Sequence, residues 1–252
     1  MAQHLDVLGL AVKGLEKMMH KLGLKLAAGV VVLAGAYASY HFTRPPFWQT
    51  DTPLRATSGP VDLLADLDPQ DPDKGWKERR FFRITPAEYR FADHDGSRAL
   101  RCSTDNSASI LALDTEIAVA DLPVLSWRWK VVTPIQSDLD EATREGDDHP
   151  MRFYIRFANE AGDSKGVEII WSNQKFEPGG FKIIGDFYHL VANGLDENIG
   201  TWHDQRVDLA QLYQDIGGTG TPTLDVIGFF CDSDNTGAQS DGYFADVQLL
   251  EG

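Results

Sequence analysis

The sequence predicts an all-β domain, a jelly-roll-like β-sandwich, preceded by an N-terminal amphipathic helix and a single transmembrane helix. Three observations predict it. Beyond Trp76, short apolar runs alternate with clusters of Gly, Asn, Asp and Pro, which is the punctuation of a sandwich. In two of these runs the alternation is strict. Leu125, Trp127, Trp129 and Val131 share one face of LSWRWKV against Ser126, Arg128 and Lys130, while Met151, Phe153, Ile155 and Phe157 oppose Arg152, Tyr154 and Arg156. Leu26 to Tyr40, by contrast, carries no charged residue at all.

Residues 1–21 read as the amphipathic helix. Leu5, Leu8, Val12, Leu15 and Met19 step by three and four, the spacing of one helical stripe, with Lys13, Glu16, Lys17 and Lys21 off it. Such a helix lies on a membrane surface or packs against a membrane-protein partner. Residues 22–42 approach the roughly 20 residues that cross a bilayer. Lys13, Lys17, Lys21 and Lys25 precede the uncharged run Leu26 to Tyr40. The positive-inside rule therefore places the N-terminus in the cytoplasm and the remainder in the periplasm, as in a single-pass protein of a bacterial inner membrane. Ala36-Tyr37-Ala38 also fits the cleavage pattern of an export signal, and both readings export the rest of the chain.

Residues 43–60, with Pro45, Pro46, Pro53 and Pro60, read as an extended linker. The domain is expected over 61–252. Its strands are expected at Trp76 to Ile84, Glu88 to Phe91, Arg98 to Ser103, Ser109 to Glu116, Val124 to Val132, Met151 to Ala158, Gly166 to Trp171, Lys182 to Val191, Trp202 to Asp208, Leu224 to Cys231 and Gly242 to Leu249. Leu209 to Ile216, stopped by Gly217 and Gly218, is the one helical stretch. Ile227 to Cys231 reads as a strand buried on both faces, with Gly228 as a candidate bulge.

The formal charge of −15 is unevenly spread. The first 44 residues hold five basic and two acidic side chains, which leaves 18 against 36 in the rest. An acidic body repels phosphate backbones, excluding nucleic acid as the expected partner and favouring cations or a basic soluble protein. Cys102 and Cys231 are the only cysteines, and two separately buried thiols are expected in preference to a disulfide. No nucleophile motif, Walker loop or dinucleotide fingerprint is present, and nothing signals nucleotide, haem or flavin, so the reading leans away from an enzyme.

Two clusters of oxygen donors stand out. Asp232, Asp234 and Asn235 follow the Ile227 strand, and Asp147 and Asp148 precede the Met151 strand. If they converge they suit calcium, which takes six to eight oxygens at roughly 2.3–2.6 Å; otherwise they are turns capping their own backbone. Arg128, Lys130, Arg152 and Arg156 would form a basic stripe if their strands paired. Trp171, Trp202, Tyr188 and Tyr243 are candidates for stacking on sugar rings. Arg128, Arg152, Arg156, Trp171 and Trp202 are thus the candidate glycan contacts.

GDDHPMRFYIRF, EIIWSN and IGFFCDSDNTG followed by GYFADVQL resemble, in that order, the landmarks of the bacterial domain-of-unknown-function 3047 family. The resemblance covers roughly residues 75–250 and rests on three separate motifs. It implies an exported sandwich of the galactose-binding, jelly-roll kind, and no activity. Its motif positions fall on Gly146, Asp147, Asp148, Asp232, Asp234, Asn235 and Thr236. The function expected is that of a non-catalytic accessory or binding subunit, serving an inner-membrane assembly or an envelope glycan. The alternative is a metal-dependent hydrolase or lyase acting on envelope polysaccharide through the paired carboxylates.

Overall fold

The structure, a computed structural model, describes residues 52–252. The amphipathic helix at 1–21 and the span at 22–42 lie outside the described residues. Among the described residues, no helix is long and apolar enough to cross a membrane.

The elements run β1 (Val61–Asp62), β2 (Trp76–Arg80), β3 (Glu88–His94), β4 (Ser97–Asp105), β5 (Ala108–Ala118), β6 (Val124–Thr133), β7 (Arg152–Asn159), β8 (Ser164–Ser172), β9 (Phe181–Ile184), β10 (Phe187–Gly194), β11 (His203–Asp208), α1 (Leu209–Asp215), β12 (Pro222–Asp232) and β13 (Gln239–Leu250). They form two sheets. One has the order β11-β6-β13-β4-β3, with β1 added on β13; the other has the order β2-β5-β12-β7-β8-β10-β9. The chain passes repeatedly from sheet to sheet, at β4 to β5, β5 to β6, β6 to β7 and β12 to β13. That is why each strand needs one apolar face, and the sandwich is all-β as expected.

The strict alternation of the sequence is the packing. Leu125, Trp127, Trp129 and Val131 of β6 face Phe153, Ile155 and Phe157 of β7 across the core, all at most 1% exposed. Trp129 sits 5.3 Å from Trp127 and 5.7 Å from Trp171, and Phe153 sits 5.1 Å from Phe244, in edge-to-face contacts that aromatic quadrupoles favour. Helix α1 starts where Asp208 accepts the Ala210 and Gln211 N–H groups at 2.9 Å. It buries Leu209, Leu212 and Tyr213.

Four expectations need correction. The run Lys182 to Val191 is not one strand but the hairpin β9–β10, broken at Gly185, whose φ of 60° a chiral residue resists. Gly228 is not a bulge: the irregularity in β12 lies between Leu224 and Val226, and Gly228 is in register with Ala112 and Tyr154. Glycine is required there by close approach, because a Cβ would lie 2.8 Å from Cγ2 of Ile110. Strands β6 and β7 belong to different sheets, so Arg128 and Lys130 form no stripe with Arg152 and Arg156. The two cysteines are not separate thiols but a disulfide, Cys102 of β4 to Cys231 of β12, which ties one sheet to the other through the core.

Candidate functional site

The two oxygen-donor clusters do meet. The loop between β6 and β7 delivers Asp147, Asp148 and His149, and the turn between β12 and β13 delivers residues 233–238, at the same end of the sandwich. The Asp148 carboxylate accepts the backbone N–H groups of Thr236 at 2.6 Å and Asn235 at 3.3 Å. One Asp232 oxygen accepts the His149 N–H at 2.9 Å, and the other is paired with the Arg152 guanidinium. The Asn235 amide donates to the Arg144 carbonyl at 3.1 Å and the Asn173 amide to the Asp148 carbonyl at 2.8 Å. A third carboxylate, Glu141, accepts the N–H groups of Asn173, Gln174 and Lys175 and the Ser172 hydroxyl, all within 3.1 Å. Three loops are thereby clasped by carboxylates that saturate backbone donors which a sheet end leaves unpaired. Gly146 is part of the clasp, since a Cβ there would run into the Asp140 carbonyl.

Beneath the clasp lies a buried ion network. Arg152, 2% exposed, reaches Glu168 at 2.5 Å, the Asp147 carbonyl at 2.9 Å, and Asp232. The Lys182 ammonium donates to Asp147 at 2.6 Å and to Nε2 of His149 at 2.8 Å. His149 therefore carries its proton on Nδ1, donated to the Trp171 carbonyl at 2.9 Å. Nε2 of His189 stands 3.6 Å from both Asp147 and Glu168. Burial pushes both histidines down to about 4, so each is neutral at pH 7. Burial alone would raise Asp147, but His149, Arg152 and Lys182 together hold it far below the usual carboxylate range. Asp232 is raised to about 7, by burial first and by the neighbouring Asp148 charge.

Asp148, Asp232 and Asp234 can each offer an oxygen within 4.8 Å of the others, whereas Asp147 is turned away to Lys182 and Asn235 spends its amide on Arg144. The groove beside the clasp, about 330 Å³, is lined by Asp138, Asp140, Gln174 and Lys175, and none of the four aspartates lines it. A hydrolase would need two carboxylates flanking an open cleft. Asp147, Asp148 and Asp232 instead face backbone N–H groups and cations, while Asp234 is half-buried beside them.

A second constellation occupies the outer face of the six-stranded sheet. The His94 ring, from the end of β3, lies flat on Tyr243 of β13, with centroids 4.0 Å apart and planes 9° apart. Trp202, just before β11, stands 6.2 Å from His94 and 6.4 Å from Tyr243. Alanines at 92, 99 and 245 keep the floor low around them. Charged side chains frame the rings, each matched by an acid. Arg128 binds Asp246 at 2.7 Å and lies 5.1 Å from the Trp202 ring; Lys130 binds Asp95 at 2.8 Å; Arg101 clamps Asp241 with bonds of 2.8 and 3.0 Å. The Trp202 indole N–H is held by Asp95 at 3.2 Å.

Of the expected glycan contacts, Arg128 and Trp202 meet on this face and Tyr243 joins them. Trp171 is fully buried in the core, Arg152 is locked in the ion network, and Arg156 pairs with Asp225 at 2.5 Å on the other sheet. Sequence reasoning missed Glu141, Glu168, Lys182, His189 and His94. Lys182 and His189 read as ordinary alternating strand positions, and only the hairpin pairing puts them opposite each other.

The sequence model of a family described as "Protein of unknown function (DUF3047)" matches residues 74–248. No curated protein matches the chain in sequence. Among similar solved structures, a family 30 carbohydrate-binding module is 11% identical with a TM-score of 0.38, over 69% of this chain and 78% of that one. The family 30 module of a cellulosomal cellulase of Clostridium thermocellum is 9% identical with a TM-score of 0.36, over 81% and 96%. A non-crystalline cellulose specific module, CBM28, is 11% identical with a TM-score of 0.36, over 79% and 100%.

Proposed function

The chain belongs to the DUF3047 family, whose description assigns no activity, and on that premise we propose that it is an exported, membrane-anchored glycan-binding domain acting as a non-catalytic accessory subunit. The observation that carries the reading is the aromatic face built by His94, Trp202 and Tyr243. Pyranose rings present flat patches of C–H bonds that stack on aromatic faces, while their hydroxyls need planar, fixed hydrogen-bonding partners at the edge. Trp202 and His94 supply the first; Arg128, Arg101 and Asp95, held in position by their own ion pairs, supply the second. Because cation and acid are matched around the rings, a neutral sugar is favoured over a uronic acid.

Export and anchoring are supported by the apolar run 22–42 with its preceding lysines and by the disulfide, which persists in oxidising compartments. The stripe of Leu5, Leu8, Val12, Leu15 and Met19 gives the anchor a face for a membrane-protein partner. The test is titration of neutral gluco- and galacto-oligosaccharides into the full chain, held in a detergent without sugar head groups. Trp202→Ala should abolish binding in a protein that still melts in one cooperative transition, lowered only by the loss of this half-buried ring. Binding that survives Trp202→Ala would remove this face as the site.

A second reading keeps a cation in the clasp, favoured by the three carboxylates of Asp148, Asp232 and Asp234 gathered within 4.8 Å. Burial raises Asp232 and Asp234 and the Asp148 charge adds to it, and calcium there would offset that second contribution.

A further inference from the structure

The turn between β2 and β3 carries the most exposed large apolar side chain among the described residues. Phe82 is 87% exposed. The turn is closed by the Ile84 N–H donating to the Phe81 carbonyl at 3.3 Å, which leaves Phe82 and Arg83 as its two central residues. Arg83 has a φ of 65°, a conformation that favours glycine. The flanks are fixed: Phe81 packs 6.0 Å from Phe230, and Ile84 packs with it against Ile110 and Val226 on the outer face of the seven-stranded sheet. The turn is thus a rigid mount that drives one phenyl ring away from the protein, at a cost in backbone strain and in exposed apolar surface. Two unfavourable features at one tip mark a functional site rather than a packing solution.

The charge around that ring is opposite to that of the domain. Residues 77–83, KERRFFR, hold four cationic side chains and one acidic, in a body where acids outnumber bases two to one. Arg83 lies 5.2 Å from the Phe82 ring, and Arg80, with a side chain 66% exposed, bonds Glu78 through Nε at 2.6 Å beside the turn.

We propose that this tip docks on an anionic membrane leaflet, with Phe82 entering the acyl boundary and Arg80 and Arg83 meeting lipid phosphates. A lone protruding ring without a cavity around it is relieved only by entering an apolar phase, while the guanidinium groups want the anions that border one. A soluble polyanion would satisfy the arginines and leave the ring in water. The inference is independent of the glycan face, which is on the other sheet. Docking at one aromatic and two or three cations is weak by itself, so it acts by orienting a domain that is otherwise tethered.

The test uses the full chain reconstituted in nanodiscs containing brominated lipid, with and without phosphatidylglycerol. A polarity-sensitive fluorophore is placed at Phe82→Cys or, for comparison, at Leu139→Cys, another exposed position, on the β6–β7 loop. The disulfide leaves no competing thiol. Quenching several-fold stronger at 82 than at 139 is expected, dependent on phosphatidylglycerol and lost near 1 M salt, where screening acts over about 3 Å. Arg83→Gln in the Phe82→Cys background should weaken it with no change in melting temperature. Hydrogen exchange of residues 81–86 in the unlabelled chain should slow in the anionic discs alone. Equal quenching at both positions, or quenching indifferent to phosphatidylglycerol, overturns the proposal. So does protection of the turn by a soluble acidic polysaccharide without any quenching by lipid.

Discussion

Replacing Cys102 and Cys231 together with alanine removes a covalent tie between strands 129 residues apart in sequence. Closing a loop of that length in the unfolded chain restricts it by an entropy worth about 5 kcal/mol at 25 °C on the chain-entropy relation. For a domain of this size about 1 kcal/mol moves the melting temperature by roughly 2–4 °C, so the double variant should melt some 10–20 °C lower. The single variants should each lose as much as the double, because either one opens the loop, and this non-additivity separates the tie from the small volume change of each substitution. Calorimetry on protein prepared from an oxidising compartment, with a thiol titration after denaturation without reductant, makes the measurement. Two titratable thiols in the unmodified protein, or a loss below about 4 °C, would refute the reasoning, since the tie would then be absent or the unfolded chain already constrained.

The buried network predicts a pH profile. His149 and His189, lowered to about 4 from 6.5, contribute stability that is complete above pH 6.5 and lost as pH falls towards 4. Asp232, raised to about 7 from 3.8, works the other way, its contribution growing as pH falls through 7. The two histidines are opposed by Asp232 and Asp234 over this window, and His189→Gln should reduce whatever stability is gained on raising the pH from 4 to 6.5 in thermal melts. Gly146→Ala should cost about 1–3 kcal/mol by chemical denaturation, because the Asp140 backbone it meets cannot turn aside as a side chain would. If a cation occupies the clasp, calcium should raise the melting temperature of the wild type and not of Asp148→Asn, with identical melts in calcium and chelator as the contrary result.

Much of the sandwich is legible because most of its strands obey a local rule. The strict two-residue period of β6 and β7 survives intact in the core, and the stop at Gly217 and Gly218 places the C-terminal end of α1 to within a residue. What failed needed information held elsewhere in the chain. Whether Arg128 and Arg152 share a face depends on which strands pair, and both have the same alternating neighbours. The hairpin β9–β10 was read as one strand because Gly185-Asp186 is a two-residue turn within an otherwise continuous run. β1 is only Val61–Asp62, paired with Leu249 and Gln248, too short to leave a period. Cys102 and Cys231 are ordinary strand positions until β4 and β12 are stacked.

The same gap between local and distant information changes what the aspartate motifs mean. Asp148 and Asp232 drew attention as oxygen donors, yet each spends its oxygens on backbone N–H groups or on Arg152, where removing either partner would strand a buried charge at a cost of about 3–5 kcal/mol. A cation entering the clasp would have to share those oxygens with the backbone and Arg152. The motif sequences therefore describe how three loops are fastened at one end of the sandwich, and the proposed glycan contacts lie apart from them. On the outer sheet face, Arg128 and Arg101 hold ion pairs that fix their orientation while keeping 29% and 21% of each side chain exposed, and Trp202, beside Arg128 and His94, is only half-buried. None of these stands in a recognisable motif, because a flat face assembled from β3, β6, β13 and the approach to β11 samples single residues from four distant places in the chain. A binding surface of this kind is visible only once the sheet order is known.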